Sequence, residues 1–590
     1  MNRIFLAISL VQLFFVVATA QSNHAWTDKI SPEVLAAYHR NERMDVLISI
    51  EGRTDLSRAA QFVTKAEKAD FVYRQLVETA DRTQTRVISL LRTRGALINS
   101  FYLVNAVAVQ EMDPALLPVL ADMPEVRNIG LDPWVHFDQP LVEMPATIER
   151  DAIEWGVQKI NAPLVWQQGY TGQGITIGGA DTGYQWNHPA LKGKYRGWNS
   201  DDATVNHNYN WHDAIHGFSP LSDTTLIDVC GFNSDEPCDD QAHGTHTMGT
   251  MTGDDGEGNR IGVAPGARWV GCRNMQSGNG KPSTYLECFQ WFLAPTDLNG
   301  QHPDPGKAPH VINNSWYCSA TEGCTDLSVN ELLRQAVINL KASGVVVVVS
   351  NGNFGSQGCN STYGPPAYFE ESFSVGSTRF DDTLSGFSSR GPVTIDGSNR
   401  IKPNVTAPGS TVRSSVPING YNVFSGTSMA GPHVAGMVAL LLSARPDLAG
   451  NVELIEQIVE QSAVFKEDPN DCGSVDGTQR PNNAYGWGRI DALAGLEMIL
   501  EQPAPTEGAR VSVLPNPTSG RLLFDLANID GNVTIHIFSA DGKLVHQQQY
   551  QTTSFAHDWI QISLENVAVG VYFWQVKTTK ETLTGKVVKE

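Results

Sequence analysis

Basic residues are scarce in this chain relative to acidic ones. Lysine and arginine total 42 against 63 aspartates and glutamates, and the formal net charge is −21 at pH 7. An acidic chain without a Lys/Arg run repels nucleic acid and anionic lipid, so the composition argues against both as partners. Apolar residues make up 41% of the chain, which is enough for ordinary cores in about three or four domains.

Long hydrophobic runs are absent beyond the N-terminus. The first run, Ile4 to Val17, follows Arg3 and precedes the small residues Ala18-Thr19-Ala20. This pattern predicts a secretory signal peptide over residues 1–20, and the run is short for a membrane span. An uncleaved anchor is the alternative. We therefore expect a secreted or surface-attached protein without a transmembrane segment in its mature form.

Cysteine is missing from both ends of the chain, and no cysteine lies before residue 230 or after residue 472. Export permits disulfides, so an even set in one region predicts up to four bridges within one domain. Cys230–Cys238 and Cys318–Cys324 are the expected local pairs. A zinc site is the alternative, but the spacings lack a paired CxxC pattern. The eight are Cys230, Cys238, Cys272, Cys288, Cys318, Cys324, Cys359 and Cys472.

Residues 40–135 predict a small α+β unit, and residues 139–150, with two prolines, predict a linker. The apolar and charged patterns of the unit alternate in the order β-α-β-β-α-β, a split βαβ plan. The predicted elements are strands at Met44–Ile50, Ala96–Phe101, Asn105–Gln110 and Val126–Leu131, a helix at Thr64–Thr93, and a second helix opening at Asp113-Pro114.

Residues 155–500 predict a doubly wound α/β domain. Gly174 to Ala180 is a short apolar strand, and Val345 to Val349 is a run of valines typical of a strand buried on both faces. Such strands alternating with helices indicate a mostly parallel sheet. Residues 508–590, which follow a Pro-bearing linker, are nearly all strand-like and predict a β-sandwich.

Four segments of the α/β domain carry candidate chemistry. Asp181 follows the Gly174–Ala180 strand, so it should lie at the carboxyl edge of the sheet, where α/β sites form. His243 opens the segment HGTHTMG, and Asn353 follows the valine strand as a possible oxyanion donor. Ser428 begins a helix rich in small residues, where the backbone N–H groups favour negative charge.

Each segment alone also has a structural interpretation as a turn or a helix cap. Their order, Asp then His then Ser, is one of the known orders of the serine-protease triad. Histidines His243 and His246 are three apart and also suggest metal ligands, but no HExxH-type glutamate accompanies them.

Together these motifs resemble the subtilisin family of serine proteases (subtilases) over residues 155–500, most closely its bacillopeptidase-F-like branch. Supporting segments are IGVAPG from Ile261, GFSSRGP from Gly386, PNVTAPG from Pro403 and YGWGRID from Tyr485. The resemblance implies a subtilisin-like fold and an endopeptidase that needs no cofactor for chemistry. Ser428 would attack, His243 would act as general base, Asp181 would orient the histidine, and Asn353 would bind the oxyanion.

The resemblance also implies further sites. Ser315 aligns with the segment that pairs with substrate backbone. Calcium is common in the family, and Asp254 and Asp255 supply hard oxygen ligands for it, although the same stretch is also a polar turn. Trp316-Tyr317 and Phe354 leave the primary pocket uncertain. Without an acidic residue in those segments, we expect a broad or apolar preference.

The insert at residues 206–216, between Asp181 and His243, departs from compact members of the family. It carries His207, His212 and His216, which could bind a metal or could be structural loop histidines.

The outer units have resemblances of their own. Residues 40–135 resemble the inhibitor-type propeptide of subtilases, which implies a chaperone and inhibitor removed by self-cleavage within about 137–155. A retained accessory domain is the alternative. Residues 508–590 resemble a type IX secretion sorting domain through LPNPTSG from Leu514 and GVYF from Gly570, which implies a bacterial secretion machinery as partner. A carbohydrate- or protein-binding sandwich is the alternative.

Two functions of other classes stay open. One is a catalytically silent surface adhesion protein on a protease scaffold, and the other is a metalloprotease. The natural substrate and the oligomeric state cannot be read from these motifs.

Overall fold

The structure is a computed structural model that describes residues 26–136, 141–143, 153–222, 229–318, 326–503 and most of 510–589. Within that last range, residues 515–517, 519, 528, 530, 541, 553–557 and 580–581 are not described. The predicted signal peptide and most of the predicted 139–150 linker lie outside the described residues. Leu141–Glu143 of that linker is a short strand.

The front unit follows the predicted β-α-β-β-α-β order after one additional helix. Its long helix begins with a capping box, in which the Thr64 side chain accepts from the Glu67 N–H and the Glu67 carboxylate accepts from the Thr64 N–H. The elements are α1 Pro32–His39, β1 Met44–Ile50, α2 Lys65–Thr93, β2 Leu97–Phe101, β3 Ala106–Met112, α3 Leu117–Ala121, β4 Val126–Leu131, and the short strands β5 Val135–His136 and β6 Leu141–Glu143.

The four-stranded sheet of this unit has the order β2-β3-β1-β4 with antiparallel neighbours. The side chains alternate between its two faces. One face, including Val46 and Ile48, packs on the unit's own helices. Leu47, Ala106 and Ala108 of the other face belong to a core shared with the central domain.

The central domain is built on one seven-stranded sheet, which has helices on both faces, as predicted. Its helices are α4 Trp155–Lys159, α5 Ala162–Gln167, α6 Pro189–Lys192, α7 His243–Thr252, α8 Pro282–Leu293, α9 Leu327–Ala342, α10 Thr427–Ala444, α11 Val452–Gln461 and α12 Ala492–Leu500. Its strands are β7 Thr176–Asp181, β8 Trp198–Asn199, β9 Thr204–Val205, β10 Trp211–Asp213, β11 Arg268–Arg273, β12 Met275–Gln276, β13 Asn279–Gly280, β14 Val311–Asn314, β15 Val346–Ser350, β16 Phe373–Thr378, β17 Val405–Pro408, β18 Val412–Val416 and β19 Gly420–Ser425.

The main sheet runs in the order β10-β11-β7-β14-β15-β16-β17, and every neighbouring pair is parallel. The valines of β15 are all buried, which is the pattern expected for a strand covered on both faces. Helices α7 and α10 contribute to the core on one face, and α8 and α9 contribute to the core on the other. The predicted α/β fold is confirmed.

Helix α10 is long and apolar enough to cross a membrane by length and composition alone. However, 89% of its apolar window is buried inside the protein. It is the central core helix of this domain, and it begins one residue before Ser428.

Disulfides tie several loops of the central domain. The predicted pair Cys230–Cys238 is confirmed, and Cys272–Cys288 and Cys359–Cys472 are also bonded. Cys318 is disulfide-bonded, and its predicted partner Cys324 lies outside the described residues.

The C-terminal unit is a β-sandwich. Two sheets, β20-β21-β24 and β23-β22-β25-β26, enclose a core that includes Phe524, Ile535 and Trp574. The strands are β20 Arg510–Leu514, β21 Arg521–Ala527, β22 Gly531–Ser539, β23 Leu544–Thr552, β24 Asp558–Ser563, β25 Gly570–Lys577 and β26 Thr582–Lys589. The predicted sandwich is confirmed.

Candidate active site

Asp181 is the last residue of β7, in the interior of the parallel sheet, and its side chain is buried. The sheet register pairs it with Arg273 at the end of β11. The backbone turns sharply just after it, because Gly183 has a φ of +107° and a Cβ there would lie 1.7 Å from the Cys238 carbonyl oxygen. Only glycine fits this turn.

His243 is the first residue of α7 and is fully buried. Its Nδ1 lies 2.7 Å from Asp181 Oδ1. The same carboxylate accepts from the Thr182 N–H at 2.8 Å and from the Thr247 hydroxyl at 3.3 Å. A carboxylate that accepts from several donors is fixed in place, so it can hold the imidazole in one orientation.

His246 does not join His243 in a metal site. Its Nε2 lies 3.0 Å from the Val412 carbonyl oxygen, and its ring stacks on Phe424 at 4.4 Å. Burial lowers the pKa of this imidazole to about 3, so the ring is neutral at ordinary pH. The metal interpretation of the two histidines therefore has no support in the geometry.

Ser428 lies in the first turn of α10 and is joined to Ser315 by reciprocal hydrogen bonds. The Ser428 hydroxyl donates to the Ser315 carbonyl oxygen at 3.1 Å, and the Ser315 hydroxyl donates to the Ser428 carbonyl oxygen at 2.8 Å. Asn313 Nδ2 donates to the Ser315 hydroxyl at 2.8 Å. The Ser315 hydroxyl is thus committed to holding the backbone of Ser428.

Asn353, three residues beyond β15, is held against the residue that precedes Ser428. Both the N–H and the hydroxyl of Thr427 donate to Asn353 Oδ1, at 2.9 and 3.0 Å. A backbone N–H can only donate, so the amide oxygen must face Thr427 and the amino group is left as the donor. This is the polarity that an oxyanion requires.

Three aromatic rings line the region next to Asn353. Phe354 contacts Tyr317 edge-on, with ring centroids 5.2 Å apart, and stacks on Tyr363 at 4.9 Å. Trp316 faces away from them and stacks on Tyr285 of α8 at 3.9 Å. Trp316 and Tyr317 therefore lie on opposite sides of the chain. Only Tyr317 joins Phe354 and Tyr363 in the group of rings next to Asn353, which we call the aromatic wall.

The turn at Asp254 and Asp255 uses its carboxylates for hydrogen bonds within the protein. Asp255 Oδ1 accepts from the N–H groups of Glu257 and Asn259, and Asp255 Oδ2 accepts from the Asn259 amide and from the Tyr421 hydroxyl. Among the described residues, no group of three or more His, Cys, Asp and Glu side chains could hold a metal ion. Both oxygens of Asp255 already accept hydrogen bonds, so calcium here stays a prediction without structural support.

The insert histidines are bound to neighbours inside the domain. His207 Nδ1 lies 2.9 Å from the Tyr195 hydroxyl, and His212 Nε2 and His216 Nε2 lie 2.8 and 2.9 Å from one oxygen of Glu287. Burial alone would raise the pKa of Glu287, but hydrogen bonds from both histidines outweigh it and lower the pKa to about 2. His212 and His216 are thus partners of the Glu287 carboxylate on α8, and His207 is a partner of Tyr195.

The sequence motifs singled out Asp181, His243, Ser315, Asn353 and Ser428, but not the polar side chains that hydrogen-bond to them. Asn313, Thr247 and Thr427 were overlooked, although each stands within four residues of a predicted site residue. Short polar side chains this close to a nucleophile or base are the available signal, because such groups often orient the reacting ones.

Comparisons with known proteins identify two regions of the chain. The profile of the subtilase family matches residues 172–488, and that of the secretion system C-terminal sorting domain matches residues 512–590. The chain is similar to bacillopeptidase F of Bacillus subtilis (strain 168), with 33% identity over 526 residues that cover 84% of this chain and 34% of that protein. It therefore spans about a third of the length of that relative.

Two shorter relatives are covered more fully. Subtilisin DY of Bacillus licheniformis is 31% identical over 300 residues, covering 51% of this chain and 88% of that protein. Subtilisin E of Bacillus subtilis (strain 168) is 29% identical over 353 residues, covering 60% and 74%. The sorting domain indicates a secreted or cell-surface protein, as its N-terminal sequence also predicts.

We predict that Asn353→Ala lowers kcat by about 10²–10³, the loss known for an oxyanion donor in a subtilisin, with little change in KM. The reason is that the amide would bind charge that develops only in the transition state. Steady-state hydrolysis of a chromogenic peptide measures both constants. Asn351→Ala is the matched control, because the buried Asn351 amide bonds Thr362 and Ser389 instead, and should mainly lower the melting temperature. An unchanged kcat in Asn353→Ala would exclude the oxyanion role.

Proposed function

The chain belongs to the subtilase family, and on that premise we propose that it is a serine endopeptidase acting through Asp181, His243 and Ser428. The observation that supports this most directly is the 2.7 Å contact between Asp181 Oδ1 and His243 Nδ1, in which both side chains are buried. Ser428 lies in the first turn of α10, and Asn353 accepts a hydrogen bond from the N–H of the preceding residue, Thr427.

The proposed reaction is an acyl transfer to water. The Ser428 hydroxyl attacks the scissile carbonyl while His243 Nε2 takes its proton, which later passes to the leaving amine. Asp181 holds the imidazole in orientation and stabilises the imidazolium that forms. The Asn353 amino group and the Ser428 N–H at the start of α10 bind the oxyanion. An acyl-enzyme forms and is then hydrolysed.

Two alternatives are less well supported. A silent adhesion protein would not need the Asp181–His243 contact or the hydrogen bonds that hold Ser428 and Asn353 in place. A metalloprotease needs a ligand cluster, and the described residues hold none. Calcium at Asp254 and Asp255 would only stabilise the fold, and equal melting temperatures in calcium and in a chelator would remove that proposal.

We predict that the secreted wild-type protein hydrolyses casein, is inactivated by a sulfonyl fluoride and resists a chelator. Ser428→Ala should abolish both activity and labelling, because the nucleophile is lost. Gel-based casein hydrolysis and mass spectrometry of the labelled protein measure these outcomes. Ser443→Ala, on the same helix but hydrogen-bonded to Leu440 O, should match the wild type. Full activity in Ser428→Ala would refute the assignment.

We further propose that the chain is a precursor that cleaves itself between His136 and Leu141. The support comes from the strands on either side of that segment. Strand β5 pairs antiparallel with β13, His136 opposite Asn279, and β6 pairs antiparallel with β19, Leu141 opposite Ser425. Ser425 stands three residues before Ser428, so the chain reaches the site as a substrate would, by strand addition. The proposal narrows the self-cleavage range from residues 137–155, which the sequence led us to expect, to the stretch between His136 and Leu141.

The front unit is suited to inhibit the site until it leaves. Lys281, at the start of α8, is 2.9 Å from Asp45 and 3.5 Å from Asp132, both on the front unit. Asp132 Oδ1 also accepts from the Ser283 N–H at 2.9 Å, so the front unit caps α8. Asn339 Nδ2 donates to the Leu103 carbonyl oxygen at 2.6 Å. A retained accessory domain remains the alternative.

The front unit should bind the central domain much more weakly when Asp132 is replaced by alanine. Lys281 would lose a buried counter-charge, and α8 would lose its cap. We predict that Asp132→Ala shortens the interval between self-cleavage and the onset of casein hydrolysis by about 30-fold or more, from about 2 kcal/mol for such a truncation. Time-resolved gels and activity on the full chain measure the interval. Asp122→Ala, an exposed carboxylate of the same unit, is the control. Equal intervals would exclude an inhibitory role for this contact.

The aromatic wall supports a preference for apolar residues before the scissile bond. Tyr317, Phe354 and Tyr363 offer ring faces and no carboxylate to attract lysine or arginine. We predict a kcat/KM for a P1 phenylalanine peptide about tenfold or more above that for P1 lysine, measured on matched chromogenic peptides. Phe354→Ala should reduce this ratio and Phe380→Ala, at an exposed ring, should not. Preference for lysine would contradict the proposal.

A further inference from the structure

Asp239, which no motif identified, has the densest hydrogen bonding of any carboxylate around the site. It lies four residues before His243 and is only 7% exposed. Its Oδ1 accepts from the Thr182 hydroxyl at 2.9 Å, from the Gln241 N–H at 3.0 Å and from the Ala242 N–H at 2.9 Å. Its Oδ2 accepts from the N–H and the hydroxyl of Thr245, at 2.9 and 2.5 Å.

Three of these donors are backbone N–H groups at the start of α7, the helix that begins at His243. Such groups have no partner within the helix and need an acceptor when they are buried. Ala242, just before the helix, has a φ of +81°, which a residue with a Cβ rarely adopts without outside support. Asp239 accepts the N–H of this residue, so it helps to set the direction in which α7 and His243 begin.

Thr182 joins Asp239 to the other side of the pair. Its hydroxyl donates to Asp239 and accepts from the Gly244 N–H at 3.0 Å, while its own N–H donates to Asp181 at 2.8 Å. Hydrogen bonds thus join Asp239 to Thr182, Thr182 to Asp181 and Asp181 to His243, and the α7 backbone from His243 to Thr245 closes this circuit back to Asp239. The circuit fixes the start of α7 relative to the end of β7.

The segment around Asp239 is itself anchored. Cys238 is bonded to Cys230, and its carbonyl oxygen accepts from the Tyr184 N–H at 3.1 Å. The next residue, Asp240, forms an ion pair with the buried Arg273 of β11. The neighbours of Asp239 are therefore held in place, so Asp239 can orient the start of α7 from a fixed position.

We propose that Asp239 is a positioning residue for the general base: it holds His243 in register with Asp181 and Ser428 without touching the substrate. This inference rests on the proposed function. A base displaced by about 1 Å can lose on the order of 10² in rate, since proton transfer depends steeply on geometry. The Ser315 segment, which is expected to pair with substrate backbone, is outside the circuit, so KM should change little.

The test uses Asp239→Asn, which keeps the shape but places an amino group against the donors of Thr245. We expect kcat per active site to fall about 10- to 100-fold with KM within about twofold, measured on a chromogenic peptide after active-site titration with a sulfonyl fluoride. Asp213→Asn is the matched control: Asp213 is also buried and accepts from Ile215 N, Ser234 N and Arg273, but not from α7. It should lower the melting temperature and spare kcat.

A second, uncharged pair of variants separates geometry from charge and from folding. Thr182→Ser keeps the hydroxyl and should retain wild-type kcat, whereas Thr182→Val breaks the circuit and should lower kcat at unchanged KM. This pair also decides the case if Asp239→Asn does not fold. Wild-type kcat in Asp239→Asn, or equal kcat in the two Thr182 variants, would overturn the inference. An inactive wild type would instead overturn the proposed function.

Discussion

Parallel pairing of β11, β7, β14 and β15 is the constraint on which the rest of the candidate site depends. Because these strands run in one direction, the residues that end or follow them, Asp181 after β7, Ser315 after β14 and Asn353 after β15, reach the same edge of the sheet. Helices α7 and α10 then need only begin at that edge to bring His243 and Ser428 to it. Strand ends thus supply acceptors and donors, and helix starts supply the proposed base and the proposed nucleophile.

The buried polar groups at this edge are costly unless each has a partner, and the structure shows how they are paired. Ser428 and Ser315 exchange hydrogen bonds, Thr427 holds the amide of Asn353, and Asp239 gathers the donors at the start of α7. Such pairing removes alternative side-chain orientations, because an unmade hydrogen bond in a buried site costs more than a made one contributes. The same groups are therefore ordered before any substrate binds.

The front unit contacts the central domain through helices α8 and α9. It packs its sheet on the side of α8 and α9 away from the main sheet, and it supplies a carboxylate to the start of α8. The strands β5 and β6 pair with β13 and β19, so one continuous chain connects the docked unit with the site. The insert at residues 206–216, once a candidate for metal binding, instead places two histidines on Glu287, which also binds Asn99 of the front unit.

The sequence alone determined the central motifs, the α/β class, the split βαβ front unit and the C-terminal sandwich, because these follow from local periodicity and from residues whose order along the chain is diagnostic. It also predicted the bridge Cys230–Cys238, which closes a short loop. Only the tertiary structure decided which way Trp316 and Tyr317 face, that Leu141–Glu143 is a strand, and that Asp239 and Thr182 join Asp181 to His243. Those features depend on contacts between segments far apart in the chain, which local periodicity does not specify.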